Sequence, residues 1–153
     1  MRFLGGKVRA AKYIVPILQA SRRPNQLYVE PFVGGCNIFA GMDNPKWGND
    51  LNPYLIAMWE AVRDGWEPPS DVSEGLYKDI QYNKGSFPPH LVGFVGYGCS
   101  FGGKWFGGYA RNKDRDNYAL RSCNSVLRVV PFLQGVTYTS KDYQALPILP
   151  NSL

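Results

Sequence analysis

Three carboxylates stand where an extended segment hands over to a turn. Glu30 closes Leu27-Tyr-Val-Glu30 and leads into Pro31-Phe32-Val33-Gly34-Gly35. Asp50 sits in Gly48-Asn-Asp-Leu-Asn52, and Asp142 with Tyr143 follows Gly135-Val-Thr-Tyr-Thr139. Open α/β sheets bind ligands beyond the carboxyl ends of their strands. A Gly pair there lets backbone approach a ligand closely. The turn lacks both the G-x-G-x-x-G dinucleotide fingerprint and the G-K-[ST] of a P-loop. A strand-end acid without a phosphate cradle suits a ligand with positive and hydroxyl groups. Asp50 follows Gly34 at a spacing near that of acids which bond both hydroxyls of a ribose. Its ordinary alternative is to stabilise the helix that starts at Asn52. Asp142 is placed to accept a hydrogen from an exocyclic amine, and Tyr143 to flank a flat ring. Lys7, after Gly5-Gly6, gains interest only from these partners.

Other chemistries are excluded by counting. His90 is the only histidine, so a multi-histidine metal site is impossible. Cys36, Cys99 and Cys123 form no C-x-x-C pair, which supports neither a zinc site nor a disulfide framework. With 44% hydrophobic and 19% charged residues, the 153-residue chain can own a core. Its longest apolar stretch, Tyr13 to Leu18, is far too short to span a membrane, and no signal peptide opens the chain. A cytoplasmic location is expected. The net charge of +5 is uneven. From residue 104 onward Lys104, Arg111, Lys113, Arg115, Arg121 and Arg128 far outnumber the acids, beside aromatics, as a polyanion-binding surface would require. A solvated helix face is the plainer reading of the same charges.

The elements that must position these groups follow from periodicity. Ala10, Ile14, Ile17 and Leu18 predict a helix over 7–20, kinked by Pro16. Strands are predicted over 27–30 and 46–50, with a short helix over 36–42 between them. Asn52-Pro53 is a cap followed by a first-turn proline and predicts a helix to about Asp64. Alternation of this kind gives a parallel sheet. Beyond residue 65 helices are predicted over 71–82, with Asp71 and Glu74 as a capping box, from Pro88-Pro89 through Val95, and over 117–130. Residues 96–112 read as a Gly/aromatic loop.

Taken in order, Phe3-Leu-Gly-Gly-Lys7, Tyr28-Val-Glu-Pro-Phe-Val-Gly-Gly35, Gly48-Asn-Asp-Leu-Asn52, Gly102-Gly-Lys-Trp-Phe-Gly-Gly-Tyr-Ala-Arg111 and Asp142-Tyr143 resemble the DNA adenine-N6 methyltransferases of the Dam (D12) class, close to phage-type members. The resemblance covers essentially the whole chain. It implies an α/β fold with a Rossmann-like methyltransferase sheet, incomplete in this chain. It also implies an inserted, mainly helical target-recognition region. Residues 1–64 would bind S-adenosylmethionine (SAM), 65–130 would be the insertion, and 131–153 would return to the sheet. Phe3 and Lys7 would meet the methionine end of SAM. Glu30, Phe32 and Gly34 would floor the pocket, Asp50 would hold the ribose, and Asp142 with Tyr143 the adenine. Lys104, Trp105, Tyr109, Arg111 and Arg115 would contact double-stranded DNA. No metal is implied, and a monomer in a bacterial or phage-infected cell is expected.

The same resemblance calls for an Asp-Pro-Pro-Tyr run that grips the flipped adenine. The chain has none and stops at Leu153, where the pattern enters the strand that carries it. A truncated methyltransferase without catalytic residues is therefore the expectation. The alternative is a remnant or decoy that binds SAM or DNA without turnover.

Overall fold

The computed structural model describes residues 1–112, 116–147 and 149–153. Three short parallel strands form one sheet in the order β1 (Tyr28–Glu30), β2 (Lys46–Asn49), β3 (Thr137–Thr139). Tyr28 pairs with Lys46, and Trp47 with Thr137. Outside β1, the N–H of Leu153 donates to the carbonyl of Leu27 at 2.9 Å, and its carbonyl accepts from Val29 at 2.8 Å.

Among the described residues there are five α-helices: α1 (Val8–Ser21), α2 (Pro53–Arg63), α3 (Glu74–Tyr82), α4 (Pro89–Gly98) and α5 (Tyr118–Leu127); α2 packs on β3, α4 on α2, and α3 and α5 on α4. The α2 start is the one expected. Asn52 Oδ1 accepts from the N–H groups of Tyr54 and Leu55, and Leu55, Ile56, Met58, Trp59 and Val62 are buried along its inner stripe. In contrast α1, which runs on through Pro16, buries no residue fully and lies on the surface. One continuous core joins the sheet, α2 and the helices after residue 65, with Trp59, Tyr77, Phe39 and Phe94 its largest fully buried side chains.

Three sequence expectations change in detail. Residues 36–42 form only a turn and a 3-10 stretch, Phe39–Gly41, because Cys36 takes φ +55° and cannot begin an α-helix. The third helix starts at Glu74 rather than Asp71. Ser73 is its cap, accepting from Leu76 N–H at 3.1 Å, while Val72 is held in the core. The Gly/aromatic loop is more ordered than its composition suggests. It closes through an antiparallel bridge between Ser100 and Tyr109, and Phe106 N–H donates to Gly96 O at 2.8 Å.

Candidate functional site

The carboxyl ends of the three strands converge on one buried side chain, Asn49. Its Nδ2 donates to the carbonyls of Pro31 (3.1 Å) and Lys141 (2.9 Å). Its Oδ1 accepts from Thr139 Oγ1 (2.8 Å) and Lys141 N–H (3.0 Å). Every hydrogen-bonding position of the amide is used across three strand ends, so the rim on which the candidate acids sit is fixed.

The Gly34 turn is fixed as firmly. Gly34 takes φ +46°, its N–H donates to Asp50 Oδ2 at 3.1 Å, and its carbonyl accepts from the buried Trp59 indole at 2.9 Å. Phe3 lies over it: a Cβ on Gly34 would fall 2.9 Å from the Phe3 ring. Phe3 also packs on Tyr97, with centroids 4.7 Å apart.

Between this turn and α1 opens a cleft of about 370 Å³ lined by Phe3, Lys7, Glu30, Phe32, Gly34 and Asn37, among others. Five of the sequence-predicted cofactor residues are thus brought together. Glu30 accepts from the Tyr28 hydroxyl at 3.0 Å, and burial pushes its carboxyl up to about 7. That displacement is opposed by the Tyr28 hydrogen bond and by the nearby Lys46 ammonium. Lys46 is itself buried, donating to the carbonyls of Phe39 and Met42 at 2.9 and 2.7 Å. Lys7 stands at the exposed rim, its ammonium on Gly5 O at 2.7 Å. Phe32 and Tyr143 are exposed yet face one another, with centroids 5.3 Å apart. They bring the loop after β3 to the loop after β1.

Asp50 stands on the other side of the Gly34 turn. Besides Gly34 N–H, its carboxylate accepts from Asn52 N–H at 3.1 Å, and it lines a second hollow with Tyr54, Tyr97 and Trp105. The helix-stabilising alternative and the clamp on the glycine turn are both what this acid does in the structure. Asp142 accepts from Gln144 N–H at 2.9 Å as the cap of a short 3-10 turn.

Two positions escape a reading by residue type. Asn37 donates to Gly35 O at 2.9 Å, while its Oδ1 is buried and without a partner, at the wall of the cleft. A buried acceptor without a donor is costly and suits a ligand's N–H. Tyr28 and Glu30 alternate onto the same face of β1, a signal the sequence does carry.

The loop of the expected DNA contacts divides. Lys104 and Arg111 are exposed, and Arg111 pairs with Glu74 at 3.3 Å. Trp105 is half-buried, stacked on Tyr54 with centroids 5.8 Å apart. Tyr109 turns inward: its hydroxyl donates to Val72 O at 2.7 Å and its ring packs on Tyr77. That engagement gives Tyr109 a loop-anchoring part beside the DNA contact that the resemblance implies for it. Arg115 lies outside the described residues.

A model of the D12 class N6 adenine-specific DNA methyltransferase family matches residues 3–89, which include the cleft, Asp50 and α2. The chain belongs to that family. A search of curated proteins gives no significant match. Membership makes the chain a relative of enzymes that methylate adenine in DNA, and DNA the substrate class. Among the described residues no helix is long and apolar enough to cross a membrane. No group of three or more His, Cys, Asp or Glu is placed to hold a metal ion among them.

Proposed function

We propose that the cleft under Phe3 binds SAM and that the exposed Lys104 and Arg111 side of the chain meets double-stranded DNA, as parts of an adenine-N6 methyltransferase. The observation that carries this reading is the convergence of three unlike features at one sheet edge. These are a half-buried acid (Glu30), an unpartnered buried acceptor (Asn37 Oδ1) and an exposed aromatic pair (Phe32 and Tyr143). They complement a molecule with an ammonium, a sulfonium and a flat purine. SAM, when bound, supplies an electrophilic methyl group on positively charged sulfur.

The chain's own residues then have distinct parts. Glu30 and Asn37 accept from the ammonium of the methionine end, Glu30 also balancing its charge, with Lys7 at the rim for its carboxylate. Asp50 keeps the Gly34 peptide in place and offers its remaining lone pairs to ribose hydroxyls where the ligand reaches past the Gly34 turn toward the Tyr97 hollow. Phe32 and Tyr143, in contact with one another, offer a shared aromatic surface against which the purine lies, and Asp142 accepts from its amino group. Residues 1–64 and 131–153 carry the cofactor, and 65–130 the target contacts. The absence of an Asp-Pro-Pro-Tyr run among the 153 residues leaves no catalytic residue to assign. It favours, for these residues taken alone, binding without turnover.

Titration calorimetry with SAM and with NAD tests the reading. The chain is expected to bind SAM and not NAD; the reverse selectivity sinks it. Asp50→Ala should weaken SAM binding by about 1–3 kcal/mol, roughly five- to 150-fold, because hydrogen bonds to a charged acceptor are lost. Unchanged affinity removes Asp50 from the site. On the DNA side, Arg111→Ala should weaken duplex binding by a few-fold and make it less salt-dependent. An identical salt slope would leave Arg111 simply paired with Glu74.

A further inference from the structure

We propose that the basic hollow between the N-terminal segment and α5 seats a backbone phosphodiester of duplex DNA, a second DNA contact separate from the Lys104 and Arg111 loop. The inference rests on the DNA-binding reading above and extends it to residues which that reading does not use.

The hollow has a volume of about 480 Å³ and is lined by Arg2, Tyr118, Arg121, Ser122, Ser125 and Arg128, with no acid among its lining residues. Two of the guanidinium groups bracket one ring: Arg2 lies 5.7 Å and Arg121 5.9 Å from the centroid of Tyr118. An aromatic face attracts such cations and limits where they can go, so the pair is held over the opening rather than dispersed. Arg121 has an acidic partner, Asp116, at 2.7 Å. Arg2 and Arg128 have none among the described residues. Three like charges collected over one hollow repel one another, and a polyanion relieves that repulsion. On the floor the hydroxyls are already engaged, Ser122 donating to Gly98 O at 2.7 Å and Ser125 accepting from the Met1 amino group at 2.6 Å. The guanidiniums at the rim are the charged donors whose fork geometry matches phosphate oxygens.

Position favours a nucleic acid over a small free anion. The hollow is far larger than one phosphate, and the arginines are exposed, as suits an extended polyanion lying across the surface. It is also laced to the loop that carries Lys104. Leu4 N–H donates to Gly103 O at 3.0 Å, and a Cβ on Gly103 would fall 2.5 Å from the Arg2 carbonyl. Gly103, at φ +68°, thus brings the N-terminal segment against the loop and places Arg2 next to the Lys104 side.

The test is the salt dependence of duplex binding, followed by fluorescence anisotropy, for the 153-residue chain and for Arg2→Gln/Arg128→Gln. The charge-matched control is Lys12→Gln/Arg23→Gln, whose residues are exposed and line no part of the hollow. The rim variant is expected to bind about tenfold more weakly at ~0.1 M salt, with the slope of log affinity against log salt reduced by about 1–2. The control should lose less than about threefold. Equal losses in the two pairs, or an unaltered slope in the rim variant, overturn the inference while the cofactor reading stands. A parent chain that binds no duplex overturns both DNA readings, and SAM calorimetry still reports separately on the cleft. Titration with inorganic phosphate closes the remaining route. Tight saturable phosphate binding lost in the rim variant, with duplex binding unmoved, would give the hollow to a free anion and overturn the DNA assignment. Both rim side chains are exposed, so the melting temperature should not change.

Discussion

Gly93→Ala is expected to cost the fold roughly 3 kcal/mol or more, lowering the thermal midpoint by about 10 °C. Gly93 sits inside α4, where glycine ordinarily weakens a helix relative to alanine. Here the missing side chain is what lets α4 meet α2. A Cβ on Gly93 would fall 2.0 Å from the carbonyl oxygen of Tyr54, 2.7 Å from its carbon and 3.1 Å from Met58 Cβ. The first two contacts are with backbone, which no rotamer change relieves, so the helices must separate. Val62, Val92, Phe94 and Val95, all fully buried, would then lose packing. The consequence reaches the site, because Asn52 at the start of α2 and Trp59 within it hold Tyr97 and Gly34 respectively. Gly85→Ala is the control. Nothing lies within 4 Å of its added Cβ, and its midpoint should hardly move. Thermal and urea unfolding of the two variants decide the matter, and equal midpoints would mean that α2 and α4 do not pack as described.

The difference between what the sequence discloses and what it hides is a difference between local and assembled signals. The α2 start is local: Asn52 and Pro53 announce it through their own conformational preferences, and the structure has the cap where the residues put it. The strands at 28–30 and 46–49 and the parallel order follow from short β-prone runs alternating with helices. The candidate acids were visible because strand ends are where such sheets bind ligands. Asn49 was not visible. An Asn in a strand reads as a weak β former, and its value depends on three strand ends meeting from positions about ninety residues apart in sequence. Lys46 is hidden for a similar reason. A lysine is normally solvated, and only the returning 3-10 turn supplies the two carbonyls that allow it to be buried. Tyr109 is an assembled case too. The resemblance groups it with the loop's DNA contacts, and no local pattern announces the hydrogen bond to Val72 or the packing on Tyr77.

The candidate cleft was legible as a set of residues but not as a geometry. Phe3, Lys7, Glu30, Phe32 and Gly34 come together as the motif order suggested. Asp50 reaches them through the Gly34 peptide, with its carboxylate on the far side of the turn. A spacing along the chain fixes which strand end an acid occupies. It does not fix which side of a tight turn the carboxylate takes, because that is decided by N–H groups such as those of Gly34 and Asn52.

If Glu30 faces the cationic end of SAM, cofactor affinity must depend on pH near neutrality. Its carboxyl is raised to about 7 by burial, from an ordinary value of 4.5. Without ligand, a carboxyl raised in the folded state makes its contribution to stability below its unfolded pKa. That contribution is lost as pH rises from about 4.5 through 7, at most ~3 kcal/mol in all. A bound sulfonium and ammonium reverse the balance, because they favour the carboxylate and push its pKa down again. SAM binding below pH about 7 must therefore expel a proton. The affinity should rise by up to about tenfold per pH unit between pH ~5.5 and 7, then level off. Calorimetry in buffers of different ionisation enthalpy measures the released proton directly. Glu30→Gln removes the titrating group, so its affinity should be lower at pH ~8, nearly flat with pH and free of proton release. An unchanged pH profile in that variant would detach Glu30 from the cofactor, leaving it a buried partner of Tyr28 and Lys46.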